Sequence, residues 1–292
     1  MKNLIYLTLI LLIASSCQKT IEFDGEITES KLVVNSIFNT EDTFRIQVSN
    51  SLSLIDDANL KFIKDATVKL YDDQDQLVST PIHNSSGFYT DSEFKFQENK
   101  TYRIEVEKDG YKNVSATDQI PTQANVNAID TQTVKSTDGY EQVQVTVDFD
   151  DAEGKNYYMV EVKMEYYYKW DSFEYSGWET AYVGTIDPNV EGNNNTGEYY
   201  SDRLILSDNN FNGNKYKLRF NLDKYIFQND FRNVVVRFYS MSESVYNYFT
   251  SVERYENVQG NPFATPVQVY SNVENGFGIF GGSSIYTFNL TD

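Results

Sequence analysis

Four carboxylates fall close together at Asp148, Asp150, Asp151 and Glu153. Alternate oxygens in a tight loop can cage calcium, but the glycine and distal glutamate of the helix–loop–helix calcium loop are missing. Aspartates and glycines collect equally in turns between strands, and a turn is the reading adopted, with no metal expected. Two carboxylates roughly 5–9 Å apart across a cleft would suffice for glycoside hydrolysis, yet with 43 acidic residues the sequence selects no pair. His83 is the only histidine, which leaves most zinc sites and histidine-dependent triads without their ligands. It stands beside Asn84-Ser85-Ser86-Gly87, a turn signal, with no G-x-S-x-G or S-x-x-K motif in company. The glycine-rich run Gly276–Gly282 lacks the Lys-Ser or Lys-Thr ending of a phosphate loop. Its glycines suit close backbone approach, with Phe277, Ile279 and Phe280 expected to pack. No catalytic set assembles, so the expectation is a protein that is not an enzyme and takes no cofactor.

Two features carry more. One is the aromatic cluster Tyr166, Tyr167, Tyr168, Trp170, Phe173, Tyr175, Trp178 and Tyr182. Sugar rings and peptides both stack on exposed aromatic faces whose polar tips still hydrogen-bond, and loops on a rigid scaffold are where recognition sits. Tyr167, Trp170, Tyr175 and Trp178 are the candidate ligand-binding residues; packing of the segment onto a sheet is the competing use of the same rings.

The other is Cys17, the only cysteine. Lys2 gives a short positive start, Leu4 to Ala14 an apolar run broken only by Thr8, and Ala14-Ser15-Ser16 small residues ahead of the thiol. The run is too short for a bilayer that needs roughly 20 residues and has the size of a signal-peptide core. The pattern is that of a lipobox, although Ala14 stands where leucine is commoner. Residues 1–16 are then a signal peptide, Cys17 the lipid-bearing first residue, and 17–30 a polar, acidic tether. Removing Lys2 with the signal takes the net charge from −19 to −20. Such an acidic surface repels phosphate backbones, so nucleic acid is not an expected partner, and the membrane is reached through lipid. A lone cysteine makes no internal disulfide, leaving burial to hold the fold.

The elements that must position these residues are strands. Apolar residues alternate with polar ones at Phe44–Val48, Val68–Leu70 and Tyr102–Val106, the period of a half-buried strand. Leu32–Val34 opens the set and Val114 and Ala116 close it. Asp109-Gly110 is read as a tight hairpin with positive φ at both central positions. Short strands without helical period predict an antiparallel β-sandwich over 31–122, ending at Ile120-Pro121-Thr122. A second unit, 126–292, follows with strands at Val143–Phe149, Tyr158–Tyr168, Leu204–Leu206, Tyr216–Leu222, Val234–Tyr239 and Ile285–Leu290. Residues 171–203, with their Asn193–Asn195 run, read as an irregular insertion. Val245, Tyr248, Phe249 and Val252 form one helical stripe, so an amphipathic helix is expected near 243–256, with Ser240 and Glu243 as its capping box. The fold class is all-β: two β-sandwich domains, the second with one helix.

Several of these segments resemble a known family in the right order: KLVVNSIF at 31–38, FRIQVSNS at 44–51, KDATVKLYDD at 64–73, GFYT at 87–90 and KTYRIEVEKDGYKNVSATDQIP at 100–121. DAEGKNYY at 151–158, SDNNFNGNKYKL at 207–218, the helix around Tyr246-Asn247-Tyr248 and NPFATPVQVYSNVENGFGIFGG at 261–282 continue the match. On these residues the chain resembles the Bacteroidota outer-membrane lipoproteins grouped as domain of unknown function 4249. The resemblance implies an immunoglobulin- or transthyretin-like first domain and an accessory role beside TonB-dependent outer-membrane receptors. The functional expectation is a non-catalytic component of nutrient uptake anchored through Cys17, the alternative a stand-alone glycan-binding lipoprotein. Lys19, Glu22 and Asp24 only partly suit an export tag, leaving the periplasmic and cell-surface sides both open.

Overall fold

A computed structural model describes residues 29–52, 60–136, 138–171, 173–193, 197–227 and 231–291. The signal peptide, Cys17 and nearly all of the tether lie outside the described residues, as do Asn194 and Asn195.

The chain is built on one nine-stranded sheet with two smaller sheets laid against it. Along the large sheet run β12 (Phe173–Thr180), β11 (Tyr157–Trp170), β17 (Phe231–Met241), β18 (Phe277–Asn289), β1 (Leu32–Asn39), β2 (Phe44–Asn50), β6 (Tyr89–Asp91) and β5 (Ile82–His83). β15 (Leu204–Ser207) pairs with β11 off that path. A four-stranded sheet holds β4 (Leu77–Ser79), β3 (Thr67–Tyr71), β7 (Thr101–Glu107) and β8 (Val114–Gln119). A five-stranded sheet holds β14 (Tyr199–Ser201), β13 (Val183–Thr185), β16 (Lys215–Asp223), β10 (Glu141–Asp150) and β9 (Asn125–Lys135).

Period-two alternation decides which residues each sheet buries. Leu32, Val34 and Phe38 on β1, with Phe44 and Ile46 on β2, meet Leu70, Ile104 and Val106 of the four-stranded sheet in the first core. Tyr158, Val160 and Val162 on β11, with Val236 and Phe238 on β17, meet Val145, Val147, Leu218 and Phe220 of the five-stranded sheet in the second. Both cores lie on the same face of the large sheet. On the opposite face the helix α1 (Glu243–Val258) covers Met159, Tyr239, Met241 and Ile285 through Val245, with Tyr246 and Phe249 packed alongside.

β18 joins the two halves. Phe277–Ser283 pair in parallel with β1, and Ser283–Asn289 pair antiparallel with β17. Phe280 enters the first core with full burial. Gly278 has φ of +112° and sits so close to the Val34 carbonyl that a Cβ would collide with it, the close approach expected of this run. Ile279 packs as expected, while Phe277 is partly exposed beneath the Lys31 ammonium, 5.1 Å from its ring centre.

Local expectations are corrected at several points. The final strand begins at Phe277, well before Ile285, and its pairing with β1 is parallel. The stretch 171–203 contains β12, β13 and β14. The helix is capped by Ser242, whose hydroxyl accepts from the Val245 N–H at 3.3 Å. Ser240 lies in β17 and accepts from the Ala124 N–H at 2.9 Å. Of Asp109-Gly110 only the glycine has positive φ, 86°, with Tyr111 N–H bonded to the Lys108 carbonyl at 3.1 Å, so the turn is of type II character, which needs positive φ at one position.

Candidate aromatic recognition site

β11 outruns the sheet it belongs to. Asn39 is level with Ser283, Ser283 with Met241, and Met241 with Tyr157. β1 therefore ends, along the common strand direction, where β11 begins. Lys31 and Trp170 therefore lie towards opposite ends of the large sheet. Among the described residues the distal part of β11 pairs with β12 alone, Tyr168 facing Tyr175 and Trp170 facing Phe173. Asp171, which follows Trp170, has φ of 54°.

Alternation across this hairpin sorts the rings onto two faces. Tyr166, Tyr168, Trp170, Phe173 and Tyr175 share the face that continues the second core. Trp170 is 86% exposed and Phe173 72%, so the apolar stripe of β11 runs out of the core into solvent with its character unchanged. Tyr166 lies over Gly177, leaving no room for a Cβ there. Its ring centre is 5.8 Å from that of Tyr168 and 5.7 Å from that of Tyr175, and the Tyr166 hydroxyl donates to the Tyr175 hydroxyl at 3.3 Å. Cross-strand aromatic pairs of this kind stiffen a hairpin.

Tyr167 and Trp178 occupy the reverse face. The Arg232 guanidinium sits 3.4 Å from the Tyr167 ring centre. Beside them Lys169 pairs with Glu174 at 2.7 Å, and that bond, followed by one from Tyr167, holds the Glu174 carboxyl below its usual range. The four candidate residues thus form no single platform: Trp170 and Tyr175 are brought together, whereas Tyr167 and Trp178 are turned away. The separation follows from strand geometry, since even and odd positions point to opposite sides. Tyr168 and Phe173 complete the platform, and counting alternate positions on both strands is the signal that selects them.

The remaining candidates are held in structural contacts. Asp148 pairs with Lys217 at 2.9 Å. Asp150 accepts from Asn125 and Asn127. Asp151 is buried, takes the Tyr158 hydroxyl and accepts from the Gly213 N–H at 2.7 Å. Among the described residues no His/Cys/Asp/Glu cluster is arranged to hold a metal. His83 packs edge-on against Tyr89, ring centres 5.2 Å apart. No helix among the described residues is long and apolar enough to cross a membrane.

With this geometry in hand, comparison with known proteins identifies a family. The model of the family described as Domain of unknown function (DUF4249) covers residues 18–289. No curated protein matches the chain.

Proposed function

The chain belongs to the DUF4249 family, and from that and the geometry above we propose that it is a non-catalytic binding component, held at the outer membrane by lipid on Cys17, that docks on a TonB-dependent nutrient receptor. The observation that carries the reading is the exposed aromatic hairpin at the pole opposite the start of β1. Contiguous apolar surface of this kind marks a contact site, and Trp and Tyr dominate the energetics of such contacts. The distal rings stand clear of both cores, so their exposure costs the fold little.

The test is an affinity pull-down of the lipidated protein from detergent-solubilised outer membranes, at native expression, followed by mass spectrometry. A TonB-dependent barrel should be recovered in stoichiometric amount with the wild type and lost with the Trp170→Ala/Phe173→Ala variant. Recovery of the lipoprotein alone from both would remove the receptor reading. It would leave the stand-alone glycan-binding lipoprotein, for which the same aromatic segment is the supporting observation.

A further inference from the structure

Trp178, turned away from the hairpin platform, forms one wall of a separate groove of about 460 Å³ on the reverse face of the large sheet. The sheet register builds its floor. Glu161, Arg237 and Thr287 stand side by side on β11, β17 and β18. In the next row Lys163 lies between Val235 of β17 and Thr180 of β12. The opposite wall is the turn after β1, carrying Glu41 and Asp42.

These polar groups are fixed before any ligand arrives. The buried Asn39 accepts from the Glu41 and Asp42 N–H groups at 2.9 and 2.8 Å, and donates to the Asp42 carboxylate at 2.8 Å. Arg237 donates to both oxygens of Asp42 at 3.2 Å. Burial alone would raise the Asp42 carboxyl, but Asn39 and Arg237 outweigh it and hold it below the usual carboxylate range. Thr287 donates to Glu41 at 3.0 Å, and Lys163 donates to the Thr180 hydroxyl at 2.7 Å.

The charges decide the ligand class. Glu41 and Asp42 of the lining, with Glu161 beside Arg237 and Lys163 in the floor, outnumber those two cations, and the Arg237 charge is already balanced by Asp42, so phosphate or carboxylate ligands meet net repulsion. A neutral ring bearing hydroxyls suits the groove. Hydroxyls donate to the carboxylates and accept from Arg237 and Lys163 without breaking either pair, and polarised pairs strengthen such bonds. The ring's C–H face packs on the half-exposed indole. The volume falls within the range of small-molecule sites. We infer that this groove binds a sugar residue of a neutral glycan, stacked on Trp178 and hydrogen-bonded to the Arg237–Asp42 pair. The inference supplies a ligand class and stands apart from the receptor-docking platform, which carries Trp170.

The mature chain is titrated with maltohexaose, xylohexaose and mannohexaose, and with a galacturonate oligomer as the anionic control, by tryptophan fluorescence and calorimetry. At least one neutral hexasaccharide should bind. Affinity should fall about tenfold in Trp178→Ala, the scale of losing one aromatic stacking face, and also in Lys163→Met, while Trp170→Ala binds as the wild type. Trp178 is 55% exposed, so its truncation leaves the fold intact, which thermal unfolding checks. Binding of none of the neutral sugars, preference for the galacturonate, or loss in Trp170→Ala rather than Trp178→Ala each overturns the assignment. Receptor capture by Trp178→Ala, measured in the pull-down, separates failure of this site from failure of the docking reading.

Discussion

Asp118 near the end of β8 is a half-buried carboxylate held by hydroxyls and an amide. It accepts from the Ser242 hydroxyl, from Gly282 N–H at 2.9 Å and from Ser244 at 3.4 Å, beside the first turn of α1. Burial pushes its carboxyl above the usual range, and the bonds from Ser242 and Gly282 pull it back only in part. A group whose folded pKa is raised contributes stability that is whole below its unfolded pKa and is lost as pH rises through the folded one. Asp118 therefore costs stability at neutral pH while it fastens the first unit to the helix. Asp118→Asn keeps the shape and an acceptor for Gly282. Its urea midpoint, compared with that of the wild type from about pH 4 to pH 7, should move in the variant's favour as pH rises. Parallel profiles would mean that Asp118 ionises as it does in the unfolded chain.

At the level of elements, α1 depends on a cap that also ties two units together. Ser242 accepts from Val245 N–H and donates to Asp118. Ser242→Ala should lower the unfolding free energy by about 1–2 kcal/mol, the upper part of the range for lost N-caps, and Ser242→Thr should restore most of it. A loss within error in urea denaturation would show the cap replaced by solvent. The helical stripe was legible from Val245, Tyr248, Phe249 and Val252, but the cap was displaced, because Ser240 offers the same spacing to Glu243 and only the pairing of β17 shows that it is still strand. Clean alternation made β2, β7, β10 and β16 legible. β12 was hidden by its Ser-Gly pair and by aromatics on both faces, which erase the polar–apolar contrast that the period needs. The same erasure scattered the candidate site: the rings were visible, their two faces were not.

Across the whole molecule, 43 acidic side chains face 24 basic ones, and tyrosine hydroxyls take up part of the difference. Tyr199 donates to Glu253 at 2.7 Å, Tyr216 to Asp187 at 2.6 Å and Tyr239 to Glu161 at 2.9 Å. Burial, then the carboxylate beside it, pushes Tyr199 up to about 12, so these donors stay neutral through the physiological range. What no local pattern announced is the parallel pairing of β1 with β18, which joins residues from the two ends of the described chain and has no signature within either segment. Its consequence is cooperativity. If the first core melted alone, Phe277–Gly282 would lose β1 and Phe280 its burial. If the second melted alone, Ile285–Asn289 would lose β17. Each core thus supports half of one strand, and the bond of Ala124 N–H to Ser240 adds a further tie across the seam. Chains with two cores usually depart from two-state unfolding; this one should not. Calorimetry should give a single peak with equal calorimetric and van't Hoff enthalpies. Phe280→Ala in the first core and Phe238→Ala in the second, each costing about 3–5 kcal/mol, should move that one peak down together. Two peaks, with each variant shifting only its own, would show that β18 merely bridges two independent sandwiches.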